Sequence, residues 1–160
     1  MTQNSVNTGA QVLQRLSTST SAVVTCNTTM PSDDTIPQST EGTQVLTLAI
    51  TPVYSTSRLI IEFTGSINND ATQNNIGVAL FQDSNANALA AHSFLPGNAS
   101  GARGDNCNLL HVMTSGTTSS TTFKIRVGPD ANTCYVNASS AGTRLMGGVS
   151  STYLTITEII

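Results

Sequence analysis

Two histidines, three cysteines, nine acidic residues and one Arg-Gly-Asp triplet are the side chains here with most capacity for chemistry. His92 and His111 could ligate a metal or move a proton. A metal site needs further His, Cys or carboxylate groups converging on them. The sequence spacing offers none, so both are read as structural histidines. Cys26, Cys107 and Cys134 are odd in number, widely spaced and without a CxxC. That is no disulfide framework. They are read as small buried apolar side chains with free thiols, against the alternative of one disulfide and a spare thiol. Asp33 and Asp34 could hold a cation, but adjacent acids in a Pro-rich loop are commoner as solvated turn formers. Ser100 in "GNASG" stands one place off a GxSxG nucleophile elbow. Neither GxxxxGK[ST] nor GxGxxG occurs. The residues therefore offer no catalytic, metal or cofactor-binding site, and we expect a protein that is not an enzyme and uses no cofactor.

The triplet Arg103, Gly104 and Asp105 lies in "LPGNASGARGDN", which reads as a long exposed loop. Three residues specify little. The triplet is a turn with a local opposite-charge pair or, as the functional alternative, an exposed recognition loop. Asn27, Asn98 and Asn137 begin N-x-[ST] triplets, which arise by chance in so Ser- and Thr-rich a chain. Tryptophan is absent and aromatics are 4%, so nothing points to a sugar-stacking platform.

Composition narrows the class. At 160 residues the chain has the length of one domain with one core. Charged residues are 9%, against ~25% in ordinary globular proteins. Ser and Thr, about a quarter of the chain, must supply the polar surface. The net charge is −3 and Lys124 is the sole lysine, so no basic stripe suits nucleic acid. No apolar run reaches the ~18 residues of a membrane helix. The start "MTQNSVNTGAQVLQ" lacks the charged and apolar regions of a signal peptide, so secretory export is not indicated.

The elements that must position these groups are strands. Period-2 runs alternate with turn clusters along the whole chain. "GAQVLQRLS" is the first strand or an extended arm leading into one, and "SAVVTCN" is short and apolar. "TQVLTLAIT" sets Leu46, Leu48 and Ile50 against Val45, Thr47 and Ala49. "RLIIEFTGSI" is the longest, with Leu59, Ile61, Phe63 and Ile67 on one face. "IGVALFQD", "LAAHSF", "CNLLHVMTS", "TTFKIRVG", "CYVNAS" and "STYLTITEII" follow. Only "NANALAAHSF" competes as a helix, and it is under three turns long with an Asn-rich entry. The reading is all-β: an antiparallel β-sandwich, jelly-roll-like, with about nine or ten strands. Residues 1–8 form a flexible or extended arm, and residues 9–160 form one sandwich domain.

Some strands are apolar on both faces. Ile60 opposes Leu59 and Ile61; Val45 and Ala49 oppose Leu46 and Leu48; Ile159 and Ile160 cover both faces. Such strands need a second surface, and few charges guard the sheet edges. We expect association. Val12, Leu13 and Leu16, next to the arm, could pair with a neighbour's sheet edge or with the assembly's own first strand.

Five segments carry a family resemblance. "LAITPVYSTSRLIIEFTGSI" resembles the "ITPSSTSSKILIEVS"-type segment of small β-sandwich proteins on the virions of tailed bacteriophages. "GAQVLQRLSTST" is similar to their "GxVLQVVSTT" opening and "VALFQDSNANALA" to a "LxRDGxxIA" strand-turn-strand. "TTFKIRVGPDANTCYVNA" is similar to "TYxVRxGxxxGTxYVN", and "SSTYLTITEI" to the "SSxLTxxEI" ending. The five occur in family order and span nearly everything from Gly9 onward. The resemblance implies a trimeric, jelly-roll-like virion surface protein. It would be a head decoration (cement) protein on the major capsid protein, assembled in the host cytoplasm and displayed on the outer head surface. The alternative is the receptor-binding knob of a tail fibre, joined to a fibre shaft and facing a host receptor. Fibres carry a long shaft before such a module, and few residues precede it here, so the expectation favours the decoration protein. No nucleic acid or membrane partner is expected.

Overall fold

In the computed structural model, described for residues 9–70, 74–96 and 104–160, ten strands form two antiparallel sheets. They are β1 (Val12–Thr20), β2 (Val24–Cys26), β3 (Thr43–Ile50), β4 (Arg58–Asn69), β5 (Ile76–Gln82), β6 (Ala90–Phe94), β7 (Gly104–Thr114), β8 (Thr121–Pro129), β9 (Cys134–Val136) and β10 (Thr152–Ile159). A 3-10 turn at Met146–Gly148 interrupts the connection from β9 to β10, and no α-helix occurs among the described residues.

The pairing follows one rule. The first strand pairs with the last, the second with the second-last, and so inward: β1 with β10, β2 with β9, β3 with β8, β4 with β7, β5 with β6. The chain is thus one long hairpin of five nested rungs with its tip between β5 and β6. Rolling that hairpin adds three cross-pairings: β10 with β4, β4 with β9, and β8 with β5. The larger sheet then runs β1-β10-β4-β9-β2 with β7 also on β4, and the smaller runs β3-β8-β5-β6. This is the jelly roll that the sequence pattern predicts. At the chain ends, Gln11 and Ile160 exchange backbone hydrogen bonds of 2.9 and 3.0 Å.

Alternation places the core between the sheets. Leu59, Ile61, Phe63 and Ile67 of β4, Leu154 and Ile156 of β10, Ile76, Val78 and Leu80 of β5, and Phe123, Ile125 and Val127 of β8 are all buried there. Two irregularities depart from the simple alternation. The β3–β8 register shifts between Gln44 and Leu46, so Val45 is an extra residue of a bulge. It is half-buried against the same core as Leu46. Ala49 is exposed, so β3 does not present the second apolar face that its sequence suggests. The β1–β10 register likewise shifts around Leu13.

The second face of β5 is covered from within the chain. Met30, in the β2–β3 loop, packs on Ala79 and Phe81, with Ala88 beside them. Gly77 and Gly128 are register partners there, and together they leave the slot that Met30 fills. A Cβ on Gly77 would stand 2.6 Å from Met30 Sδ, and one on Gly128 would stand 2.6 Å from the Thr28 carbonyl oxygen. Backbone hydrogen bonds hold the loop down: Met30 to Pro129 at 2.9 Å, Gly42 to Thr29 at 3.1 Å and Ser39 to Ala86 at 2.7 Å.

Candidate functional site

The most heavily bonded polar group closes one end of the sandwich. Glu158 on β10 is in phase with Leu154 and Ile156 and is 0% exposed. Its carboxylate accepts from Gln14 Nε2 at 2.6 Å and from the Val53 N–H at 2.8 Å. The Tyr54 N–H donates at 3.3 Å, and the Ser57 hydroxyl donates as well. Burial pushes the carboxyl pKa up, but the donors from Gln14, Ser57, Val53 and Tyr54 outweigh it and hold it below the ordinary glutamate value. The single Ser57 proton goes to the charged acceptor, and the Tyr54 carbonyl takes the Ser115 hydroxyl at 2.6 Å. The knot ties β1, the β3–β4 turn, the end of β7 and β10 together. The segment "TPVYSTS" supplies the donors and Glu158 of "TEI" the acceptor. With its lone pairs occupied and no solvent contact, the carboxylate is built for structure.

The histidines are not brought together. His92 lies on β6 in the smaller sheet and stacks on Phe94, with centroids 6.1 Å apart. His111 lies on β7 in the larger sheet, opposite Ile61, and burial lowers its pKa. His92 borders a groove of about 370 Å³ that also contains Asp33. The Asp33 carboxylate is engaged by the Thr35 N–H at 2.9 Å and by the Thr35 hydroxyl, which lowers its pKa. Among the described residues no three His, Cys, Asp or Glu side chains converge to hold a metal. All three cysteines are buried and free.

One sequence expectation needs correction. Arg103 lies outside the described residues, but Gly104 and Asp105 are the first residues of β7, in register with Asn68 and Ile67. They are strand residues, because β7 pairs β4 along nearly its whole length. Asp105 is exposed, and its carboxylate caps the next N–H, at Asn106. Val12, Leu13 and Leu16 belong to β1, the first strand expected from the sequence, which pairs β10 and ends the sheet path: Val12 faces Ile159, Leu16 faces Ile156, and Leu13 is the bulge. Leu16 packs against the core, while Val12 remains exposed. The arm expected at residues 1–8 lies outside the described residues.

Among the described residues, the outer face of the larger sheet is left open. In-register residues share a face, giving the rows Val112–Ile60–Thr157–Arg15, Leu110–Glu62–Thr155–Ser17 and Asn108–Thr64–Tyr153–Ser19. Leu110 is 64% exposed, Tyr153 46% and Val112 38%. A groove of about 380 Å³ runs between Arg15, Glu62, Leu110 and Tyr153. The face therefore carries apolar side chains and both signs of charge. It continues to a second feature that sequence reading passed over as a Gly-rich loop. Leu145 borders a groove with Ser66, Asn68, Asp105 and Asn106. Beyond it Met146 is 77% and Val149 84% exposed. Met146 has φ 51°, a left-handed conformation uncommon outside glycine. The available signal was three large apolar residues in a segment whose glycines promised only a turn.

No protein-family model matches the chain, and no curated protein matches it. Among solved structures it is similar to a chain of infectious bursal disease virus, Gx strain, at 8% identity and TM-score 0.39, over 91% of this chain and 40% of that one. It is similar to a chain of an IBDV viral particle at 10% identity and TM-score 0.37, over 90% and 35%. It is also similar to the enzymatically active domain of a tailspike protein of bacteriophage CBA120, at 13% identity and TM-score 0.30, over 76% and 18%. The chain spans less than half the length of each, and likeness at this level assigns it no activity.

Proposed function

We propose that this chain is a structural protein of a bacteriophage virion, a homotrimer that decorates the outside of the head and stabilises the capsid lattice. The carrying observation is the open outer face of β7-β4-β10-β1, where Ile60, Leu110, Val112 and Tyr153 lie among Arg15, Arg58 and Glu62. Contiguous exposed apolar surface with a polar surround marks an interaction site, and mixed charge lets one copy complement another. The decoration protein would act by mass action. Contacts that exist only with the mature lattice lower the free energy of that state. A weakly charged surface suits contacts that must hold across changes of salt, because little of their strength is screened. The resemblance of five ordered segments to phage virion surface proteins supports the virion role and the trimer.

The exposed tip around Leu145, Met146 and Val149 favours one second reading, a fibre knob that recognises the host surface. One experiment separates the two. The purified protein is measured for mass by light scattering, then mixed with undecorated heads and, separately, with host cells. A trimer that sediments with heads supports decoration. A trimer that binds cells and leaves heads bare supports the knob. A monomer at micromolar concentration that binds neither overturns both.

A further inference from the structure

We propose that Cys26 and Cys134 are a dithiol site, which a small-molecule disulfide such as oxidised glutathione converts to an intrachain disulfide. The proposal does not rest on the virion reading. The two residues are direct partners in the β2–β9 pair, and both are buried in the same core cluster. Directly opposed residues of an antiparallel pair have Cα atoms ~4.5–5.5 Å apart, inside the span that a disulfide bridges. Cys107 provides an internal control. It stands on β7 opposite Gly65, so no sulfur faces it across that pair.

Both thiols of the pair are fully buried, and the contact with Cys26 together with burial pushes the Cys134 pKa up. A thiolate is the attacking species, so the closed pair is inert. Opening is local, however. The strand β2 has three residues and ends the sheet path, paired only to β9, and such short edge elements open at low cost. Once open, one cysteine thiolate attacks a sulfur of the small disulfide. A protein mixed disulfide forms and the first small thiolate leaves. The second cysteine thiolate then attacks the protein sulfur of that mixed bond and expels the second. Two electrons pass from the protein to the small disulfide. The two protons of the cysteine thiols end on the two small thiols. The product bonds the second rung of the nested hairpin, fastening an early strand to a late one.

The test uses the full chain in native buffer. Reduced protein is incubated with oxidised glutathione, denatured, alkylated and mapped by non-reducing mass spectrometry. The expected result is a fall from three alkylatable thiols to one, at Cys107, and a linked peptide pair containing Cys26 and Cys134. Dithiothreitol should restore three. The oxidised chain should also unfold at higher denaturant than the reduced one, since the bond constrains the unfolded state. Cys107→Ala should form the same link. Three free thiols after oxidation, a link through Cys107, or glutathione retained on a single cysteine would each overturn the proposal.

Discussion

The two sheets solve the problem of their outer faces differently. On the smaller sheet, Ala79 and Phe81 would face water, but the β2–β3 loop lies across them and Met30 drops into the slot at Gly77 and Gly128. On the larger sheet, Ile60, Leu110, Val112 and Tyr153 occupy the same kind of position, and among the described residues nothing covers Leu110, Val112 and Tyr153. An apolar outer face therefore does not by itself announce a partner. It does so only where the chain has not spent one of its own loops on it.

The largest effect expected is at the covered face. Met30→Ala should destabilise the fold by about 2–5 kcal/mol, the usual range for emptying a filled core position, as read by urea unfolding. A loss within the ~0.5 kcal/mol typical of surface positions would mean the loop merely rests there, and the contrast between the faces would collapse.

Next comes the end of the sandwich, where the cover is polar. Glu158→Gln should cost about 1–3 kcal/mol, because a charged acceptor of several donors is replaced by an amide. The sign of its pH dependence follows from the depressed pKa. The carboxylate stabilises the fold fully above its ordinary, unfolded-state value, and that contribution falls as the pH drops below it toward the lower folded value. Stability curves of parent and variant should therefore converge on acidification. A constant gap down to strongly acidic pH would show that Glu158 is not the titrating group.

Smaller still, for the isolated fold, are changes on the open face. Leu110→Ser and Val112→Ser should each shift unfolding of the subunit by no more than about 0.5 kcal/mol, while lowering the mass seen by light scattering toward that of one chain. A large loss of subunit stability with unchanged mass would show that this face is covered after all. The smallest effect is expected at the margin of that face. Asp105→Ala should leave stability within about 0.5 kcal/mol of the parent and the mass by light scattering unchanged. Loss of host adsorption with the assembly intact would move weight to the knob reading.

The strands were legible because alternation is local: β4 and β10 can be read residue by residue. Ile60 was also read correctly as a position on the second face. The chain does not show from sequence which second face it covers itself, because Met30 meets Phe81 only through the rolled topology. Val45 looked like an outward residue because a bulge is a register event between two strands, invisible in one. Glu158 did carry a local signal, an acid in phase with Leu154 and Ile156. Its donors come from a turn far away in the sequence, so its purpose could not be read there. The juxtaposition of Cys26 with Cys134 has the same origin, since only nesting brings those strands together. Gly104 and Asp105 misled in the opposite direction, because glycine and asparagine suggested a loop where β4 had a long edge to fill.

The position of β10 has a consequence for biosynthesis. Of the ten strands it is made last, yet it lies in the interior of the larger sheet, between β1 and β4. While the chain is still emerging from the ribosome, β1 has no partner and β4 has one edge unsatisfied. The larger sheet cannot grow outward strand by strand; it must be completed by inserting its middle. Contacts of such long sequence separation make folding slow. A chain that stopped before β10 would not lose a dispensable border. It would split the sheet, and would also leave the donors of Val53, Tyr54 and Ser57 without their acceptor. Completion of the larger sheet is therefore tied to the last of its strands to be made, by the order in which this hairpin is rolled.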